Sequence, residues 1–288
     1  MDLSSTEIFP QIIVSLIIVT VVFISFMVLE TMYKAYLGYG KSRIAVYPYT
    51  GSRSKEFKQN PTNPASTNLP FSENQLTGVE FSYSTFLYIS DKTDDNTEGW
   101  KTVFYKGYNT SMYPLQGPGV FVSSSSNTTA SPTLRVIMNT YDNWFNTIDV
   151  KQIPFNKWLH LCLVLRSNTM EVYVNGNLAN KKTFSGTLPY QNYQSLNIFP
   201  EIKTLPSQFK NDSTNTVNKM GIPPGENFII NGAASGYISN LYYFSYAMSY
   251  SEIQAMLNLG PSSEFDQGDM DQPPYLIDSW WSQRKDSK

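Results

Sequence analysis

The sequence predicts an all-β sandwich with one short C-terminal helix and a separate N-terminal transmembrane α-helix. Three observations carry that prediction. A stretch of 22 residues near the start holds no charge. From Leu76 onward, short apolar runs alternate with turn clusters, the texture of short strands. Charged residues make up only 15% of the 288 and aromatic residues another 15%, a balance that favours strands and polar loops over helices.

The uncharged stretch covers residues 8–29, IFPQIIVSLIIVTVVFISFMVL, between Glu7 and Glu30. As a helix it reaches about 33 Å at 1.5 Å per residue, enough for a hydrocarbon core of roughly 30 Å. A cleavable signal peptide would carry a basic start, a shorter apolar region and a small-residue cleavage site. Here the start, MDLSSTE, is acidic, and the run ends in Met27, Val28 and Leu29. The lipid bilayer is therefore the first partner expected, through residues 8–29. The flanks suggest a direction: Asp2 and Glu7 precede the span, whereas Lys34, Lys41, Arg43, Arg53 and Lys55 follow it. The positive-inside rule puts the C-terminal domain toward the cytosol. Three Asn-X-Ser/Thr sequons, at Asn109, Asn127 and Asn211, point the other way. In so Asn-, Ser- and Thr-rich a chain the charges carry more weight.

Residues 1–7 read as a short tail, 8–30 as the membrane helix and 31–75 as a basic, then Pro-rich tether with Pro48, Pro61, Pro64 and Pro70. Residues 76–260 read as the sandwich. Strand candidates include VEFSYSTFLYIS from Val79, WKTVFYKG from Trp100, GVFVSS from Gly119, TLRVIMNT from Thr133 and WLHLCLVLR from Trp158. In the last, Leu159, Leu161, Leu163 and Leu165 share one face and Trp158, His160, Cys162 and Val164 the other, so a central strand is expected. MEVYVNG follows, and Asn175-Gly176 is a type I′ hairpin signal because both central positions need positive φ. Near the end, Ser249 and Glu252 fit a capping box, Ile253, Met256 and Leu257 share a helical face, and Gly260-Pro261 stops the helix. That helix is expected to cap an end of the sandwich. Residues 261–288 read as an extended tail.

Counts exclude several function classes. A formal net charge of -2 and a pI near 5.5 give no electrostatic reason for a nucleic-acid partner. The chain has one cysteine, Cys162, and one histidine, His160, so neither a thiolate or imidazole zinc cluster nor an intramolecular disulfide can form within it.

The stretch IPFNKWLHLCLVLRSNTMEVYVNGNLANKKTFSG, residues 153–186, resembles the laminin G-like branch of the concanavalin A-like lectin/glucanase superfamily. There a Trp-X-His strand leads to a hairpin bearing Tyr-Val-Asn-Gly. GYISNLYYFSYAMSYSEIQAMLNLG is similar to the closing strand and short helix of the same superfamily. The resemblance implies a jelly-roll sandwich of two antiparallel sheets. The residues read by themselves agree: these motif positions are structural, with His160, alone in an apolar strand, a packed core histidine and Cys162 an inert small hydrophobe.

Some members of that superfamily are glycoside hydrolases, which need two carboxyl groups across the scissile bond. The resemblance places such acids in Glu-X-Asp-X-X-Glu on a central strand. The near match here, Glu264-Phe265-Asp266, lies beyond the last helix and lacks the third acid. A non-enzymatic protein is expected. No cofactor is required. Calcium, held at a loop rim in many laminin G-like domains, has candidates in Asp91, Asp94, Asp95 and Asp142, but their spacing matches no EF-hand-like ligand set.

Recognition fits better than catalysis. Tyr141, Asp142, Asn143 and Trp144, followed by Phe145, and residues 108–113 with Tyr108 and Tyr113, place aromatic rings among polar groups, which suits stacking on a sugar and bonding its hydroxyls. Burial of Trp144 and Phe145 at the start of the next strand stays open. The function expected is a membrane-anchored module docking on a neighbouring protein or glycan. The alternative is a structural protein of a membrane-containing virion that ties the inner membrane to the capsid shell, with Trp280 and Trp281 of the tail as docking residues.

Overall fold

The computed structural model describes residues 5–38, 42–64, 66–72, 79–93, 99–108, 115–124, 132–185, 188–202 and 228–266. The chain divides into two compact units, Met1–Ser42 and Arg43–Lys288.

The first unit is one helix, α1 (Ser5–Gly38). Within it Gln11–Met32 is long and apolar enough to cross a membrane. Its hydroxyl side chains are satisfied locally: Ser15, Thr20, Ser25 and Thr31 each donate to the carbonyl four residues earlier, at 2.7–2.8 Å. That pattern removes the polar cost of placing serine and threonine in hydrocarbon.

The second unit is a two-sheet sandwich. Its strands are β1 (Arg43–Gly51), β2 (Lys55–Phe57), β3 (Glu80–Ile89), β4 (Gly99–Tyr108), β5 (Leu115–Ser124), β6 (Leu134–Met138), β7 (Asn146–Val150), β8 (Trp158–Arg166), β9 (Thr169–Val174), β10 (Asn177–Thr183), β11 (Leu196–Ile198), β12 (Ile230–Ala233) and β13 (Gly236–Phe244), followed by α2 (Tyr250–Leu259). One sheet has the order β1-β13-β3-β8-β9-β10, the other β2-β11-β4-β5-β6-β7 with β12 beside β4. Every pairing is antiparallel except β12 with β4. This is the all-β fold class the sequence predicts.

The core lies between the sheets. The Leu159, Leu161, Leu163, Leu165 row meets Phe81, Tyr83, Val103, Val120, Val136 and Tyr243, all at most 1% exposed. β8 is central, between β3 and β9. Asn175 and Gly176 form the predicted two-residue turn with φ of 49° and 78°, joining Val174 to Asn177. On the outer face of the β8 sheet, Cys162, Val164, Phe244 and Met248 pack against Ile253 and Met256 of α2. The helix therefore covers a sheet face instead of capping an end. Its capping box is present, with Ser249 and Glu252 exchanging hydrogen bonds.

Two expectations about the flanks change. The tether over residues 31–75 contains β1 and β2. RIAVYPYTG has strand-forming residues, and β1 tolerates Pro48 because it lies at the margin of its sheet and its register breaks between Tyr47 and Thr50. The tail over 261–288 begins inside the domain, since Phe265 bridges Thr50.

Candidate functional site

The second sheet ends in a polar rim. Gly107 pairs with Gln116 and Tyr108 with Leu115, and the Asn139 N–H donates to the Gln116 carbonyl at 2.9 Å. The ends of β4, β5 and β6 therefore meet here. A loop leading toward β11 closes over them: Thr140 bridges Pro189, the Tyr190 N–H donates to the Asn139 carbonyl at 3.0 Å, and the Tyr141 N–H to the Leu188 carbonyl at 3.3 Å.

Four buried polar side chains lie in this rim. Lys106 is 2% exposed. Its ammonium donates to the carbonyls of Asn192 and Gln194, the latter at 3.1 Å. Burial lowers its pKa to about 8, because desolvation disfavours the charged form. Gln116, Asn139 and Asn192 are carboxamides at 1%, 2% and 1% exposure. Asn192 is satisfied: its Nδ2 donates to the Lys106 carbonyl at 3.1 Å and its Oδ1 accepts from the Gln194 N–H at 3.0 Å.

Gln116 Oε1 and Asn139 Oδ1 are different. Among the described residues neither buried oxygen has a hydrogen-bond partner. An unmet buried acceptor costs about 1–3 kcal/mol. The backbone between them makes room for these groups: a Cβ on Gly117 would come within 2.8 Å of Asn192 Nδ2 and 3.1 Å of Asn139 Oδ1, and one on Gly119 would collide with Gln116 Oε1. Two glycines thus leave the room that these two buried acceptors occupy beneath the loop leading to β11.

Aromatic residues stand on the same loops. Tyr141 and Tyr193 are each 70% exposed and Leu188 is 45% exposed. Tyr141 packs edge-on against Tyr190 with centroids 5.1 Å apart, and Tyr193 stacks on Phe71 at 3.8 Å. Both rings keep accessible surface for a planar or ring-shaped ligand.

Of the binding residues expected from sequence, Tyr108 and Tyr141 come to this end of the sheet, Tyr108 at 37% exposure. Asp142 and Asn143 are tied into their own turn: Thr140 Oγ1 donates to Asp142 Oδ1 at 2.6 Å, and Asn143 Oδ1 accepts the Phe145 N–H at 2.8 Å. Trp144 is corrected, because it is buried with Phe121, Ile137, Phe145, Phe228 and Ile230 and offers no face for stacking. Tyr113, Trp280 and Trp281, like Asp94 and Asp95, lie outside the described residues. Sequence reasoning missed Gln116, Asn139, Asn192 and Tyr193; the one local signal was the Gly117-Pro118-Gly119 run beside a glutamine.

The other candidates have structural surroundings. His160 Nε2 lies 2.9 Å from Ser84 Oγ, and burial lowers the ring's pKa to about 4. Burial pushes the Cys162 thiol up, away from thiolate chemistry. Asp266 of the glycosidase near match accepts from the Tyr47 hydroxyl at 2.8 Å and pairs with Lys55. Among the described residues no group of three or more His, Cys, Asp or Glu could hold a metal.

The sequence profile of the concanavalin A-like lectin/glucanases superfamily matches residues 63–200. No curated protein sequence matches the chain. Solved structures of similar shape include the receptor binding domain of botulinum neurotoxin C/D mosaic serotype, at 13% identity and TM-score 0.39 over 62% of this chain and 36% of that one. A native heptameric SAP-like pentraxin from Limulus polyphemus is similar at 13% identity and TM-score 0.41, over 80% and 89%. Trypanosoma rangeli sialidase in complex with the inhibitor DANA is similar at 14% identity and TM-score 0.37, over 62% and 22%. This chain thus spans about a third of the neurotoxin chain and a smaller part of the sialidase. With two antiparallel sheets around one core, the folded unit is a β-sandwich, and its residues 63–200 are similar to the concanavalin A-like lectin/glucanases superfamily.

Proposed function

We propose that this chain is a non-enzymatic, membrane-anchored recognition module that docks on a neighbouring glycan or protein through the rim of β4, β5 and β6. The observation that carries this reading is the pair of buried, unmet acceptors, Gln116 Oε1 and Asn139 Oδ1, on an end of the sheet that also bears exposed Tyr141 and Tyr193. Acceptors without partners suit a ligand rich in hydroxyl or amide donors, and an exposed ring beside them suits the apolar face of a sugar. The full chain in detergent, applied to a glycan array, is expected to bind through this rim, with binding lost in Tyr141→Ala. Absence of binding, or equal binding by Tyr141→Ala, refutes the glycan form of the proposal.

The anchor supports the second half of the proposal. Basic residues after the span favour a cytosol-facing domain. Protease treatment of sealed microsomes tests it: digestion of the domain agrees with the cytosolic side and makes a protein surface the ligand, whereas protection overturns that orientation and leaves glycans as the ligand.

A further inference from the structure

The chain does not leave the domain when α2 ends. Residues 260–266 turn back along β1 as a strap. The Thr50 N–H donates to the Glu264 carbonyl at 2.8 Å and the Asp266 N–H to the Thr50 carbonyl at 3.1 Å, which sets Phe265 parallel to Thr50. Thr50 Oγ1 lies 2.7 Å from both Ser262 O and Ser239 Oγ. Ser239 Oγ in turn accepts the Ser262 N–H at 2.7 Å. Both hydroxyls are completely buried. Further along, Asp266 takes the Tyr47 hydroxyl at 2.8 Å and the Lys55 ammonium, and Asn240 Nδ2 donates to the Gly260 carbonyl at 2.8 Å.

The direction of the strands gives these contacts a role. Chain continuity joins α1 to the Arg43 end of β1, with only four residues between Gly38 and Arg43. The strap runs parallel to β1, so its Asp266 end lies beside the Gly51 end of that strand. Nine residues of β1 separate the two ends by about 27 Å at roughly 3.3 Å per residue. Tension between the bilayer and the C terminus would pull β1 toward Arg43 and the strap toward Asp266. Two parallel strands pulled from opposite ends are loaded in shear: their cross-links share the force at once and do not open one after another. On its other side β1 is registered antiparallel with β13, from Arg43↔Phe244 to Gly51↔Ile238, and that ladder is sheared along the same axis.

We infer that β1, β13 and the strap are a shear joint that carries tension between the membrane anchor and the C-terminal segment, with β3 to β12 off the direct line of force. This mechanical function is separate from ligand binding at the rim. It gives the linking role expected of the tail a physical path that ends inside the described domain.

Optical tweezers on the full chain in detergent test it, with handles attached through Ser42→Cys and a cysteine appended after Lys288; Cys162 is buried and does not compete. The expected record is one rupture that frees the strap and β1 together. Thr50→Val keeps the β-branched shape but removes the shared hydroxyl, and is expected to shorten the lifetime under constant load about tenfold, the factor given by about 1.4 kcal/mol of hydrogen bonding. Should that variant fold poorly, Tyr47→Phe, which keeps the ring and loses the hydroxyl bond to Asp266, is expected to shorten it less but measurably. Early release of the strap with β1 still folded, or lifetimes unchanged in the variant that folds, overturns the joint. Neither result bears on rim binding, which the glycan array reads separately.

Discussion

Ser84 Oγ on β3 lies 2.9 Å from His160 Nε2 on β8, a neutral pairing sealed under the Phe86 ring, whose centroid is 4.8 Å from the imidazole. Burial lowers the folded-state pKa of His160 to about 4 from 6.5. Between those values the unfolded chain binds a proton that the folded chain refuses. The contribution is therefore complete above pH 6.5 and is lost as pH falls toward 4, by about 3 kcal/mol in all. His160→Gln is expected to flatten this slope. Urea midpoints measured from pH 7.5 to 4 for both proteins check it; parallel curves would refute the assignment.

Lys106 gives the opposite end of the pH scale. Its folded pKa is lowered to about 8 from 10.5, so the folded state releases its proton before the unfolded state does. Stability from this group rises as pH climbs from 8 to 10.5. Lys106→Met is expected to remove that rise. It also strips the donor from the carbonyls of Asn192 and Gln194, at a cost of about 1–3 kcal/mol each. Melting at pH 7 and pH 10, wild type against variant, separates the two effects.

How much of this was legible follows from how local each signal is. The β8–β9–β10 region could be read because leucines alternate strictly over Leu159–Leu165 and because Asn175-Gly176 demands one turn type. β1 was hidden by its proline: Pro48 marks a tether in sequence, and only an edge position with broken register makes it compatible with a strand. The rim was less legible. Gln116, Asn139 and Asn192 are far apart in the chain and carry no periodic signal; sheet register brings the first two together, and the loop leading to β11 brings the third. Tyr141 and Trp144 belong to one aromatic cluster, yet the first ring is exposed and the second buried, an outcome the sequence left open. Aromatic spacing alone does not separate an inward ring from an outward one in a turn.

Helix α2 depends on its first turn. Ser249 Oγ accepts the Glu252 N–H and the Glu252 carboxylate accepts the Ser249 N–H at 2.7 Å. Ser249→Ala is expected to cost about 1 kcal/mol. Met256→Ala, which opens space against Cys162, Phe244 and Met248, is expected to cost about 2–5 kcal/mol. Hydrogen exchange should show the Ser249→Ala loss confined to α2 and to the hairpin it touches, where Gln254 Nε2 donates to the Gly176 carbonyl at 3.0 Å. A change spread evenly over β4 to β7 would contradict that local coupling.

The unmet acceptors at the rim make the sharpest prediction, because stability and binding should move in opposite directions. A residue kept only for packing loses stability when it is replaced. Among the described residues Gln116 Oε1 and Asn139 Oδ1 are buried without partners, so each holds the domain below the stability an apolar side chain of similar size would give, by about 1–3 kcal/mol. Gln116→Met and Asn139→Leu are therefore expected to leave the melting temperature unchanged or raise it. Ligand binding at the rim should fall at least tenfold, since a donor group would then face hydrocarbon. Calorimetric melting and a titration with whichever ligand the array identifies, run on the same preparations, check both halves. A drop in melting temperature with binding intact would show that these carboxamides serve the fold and not the site.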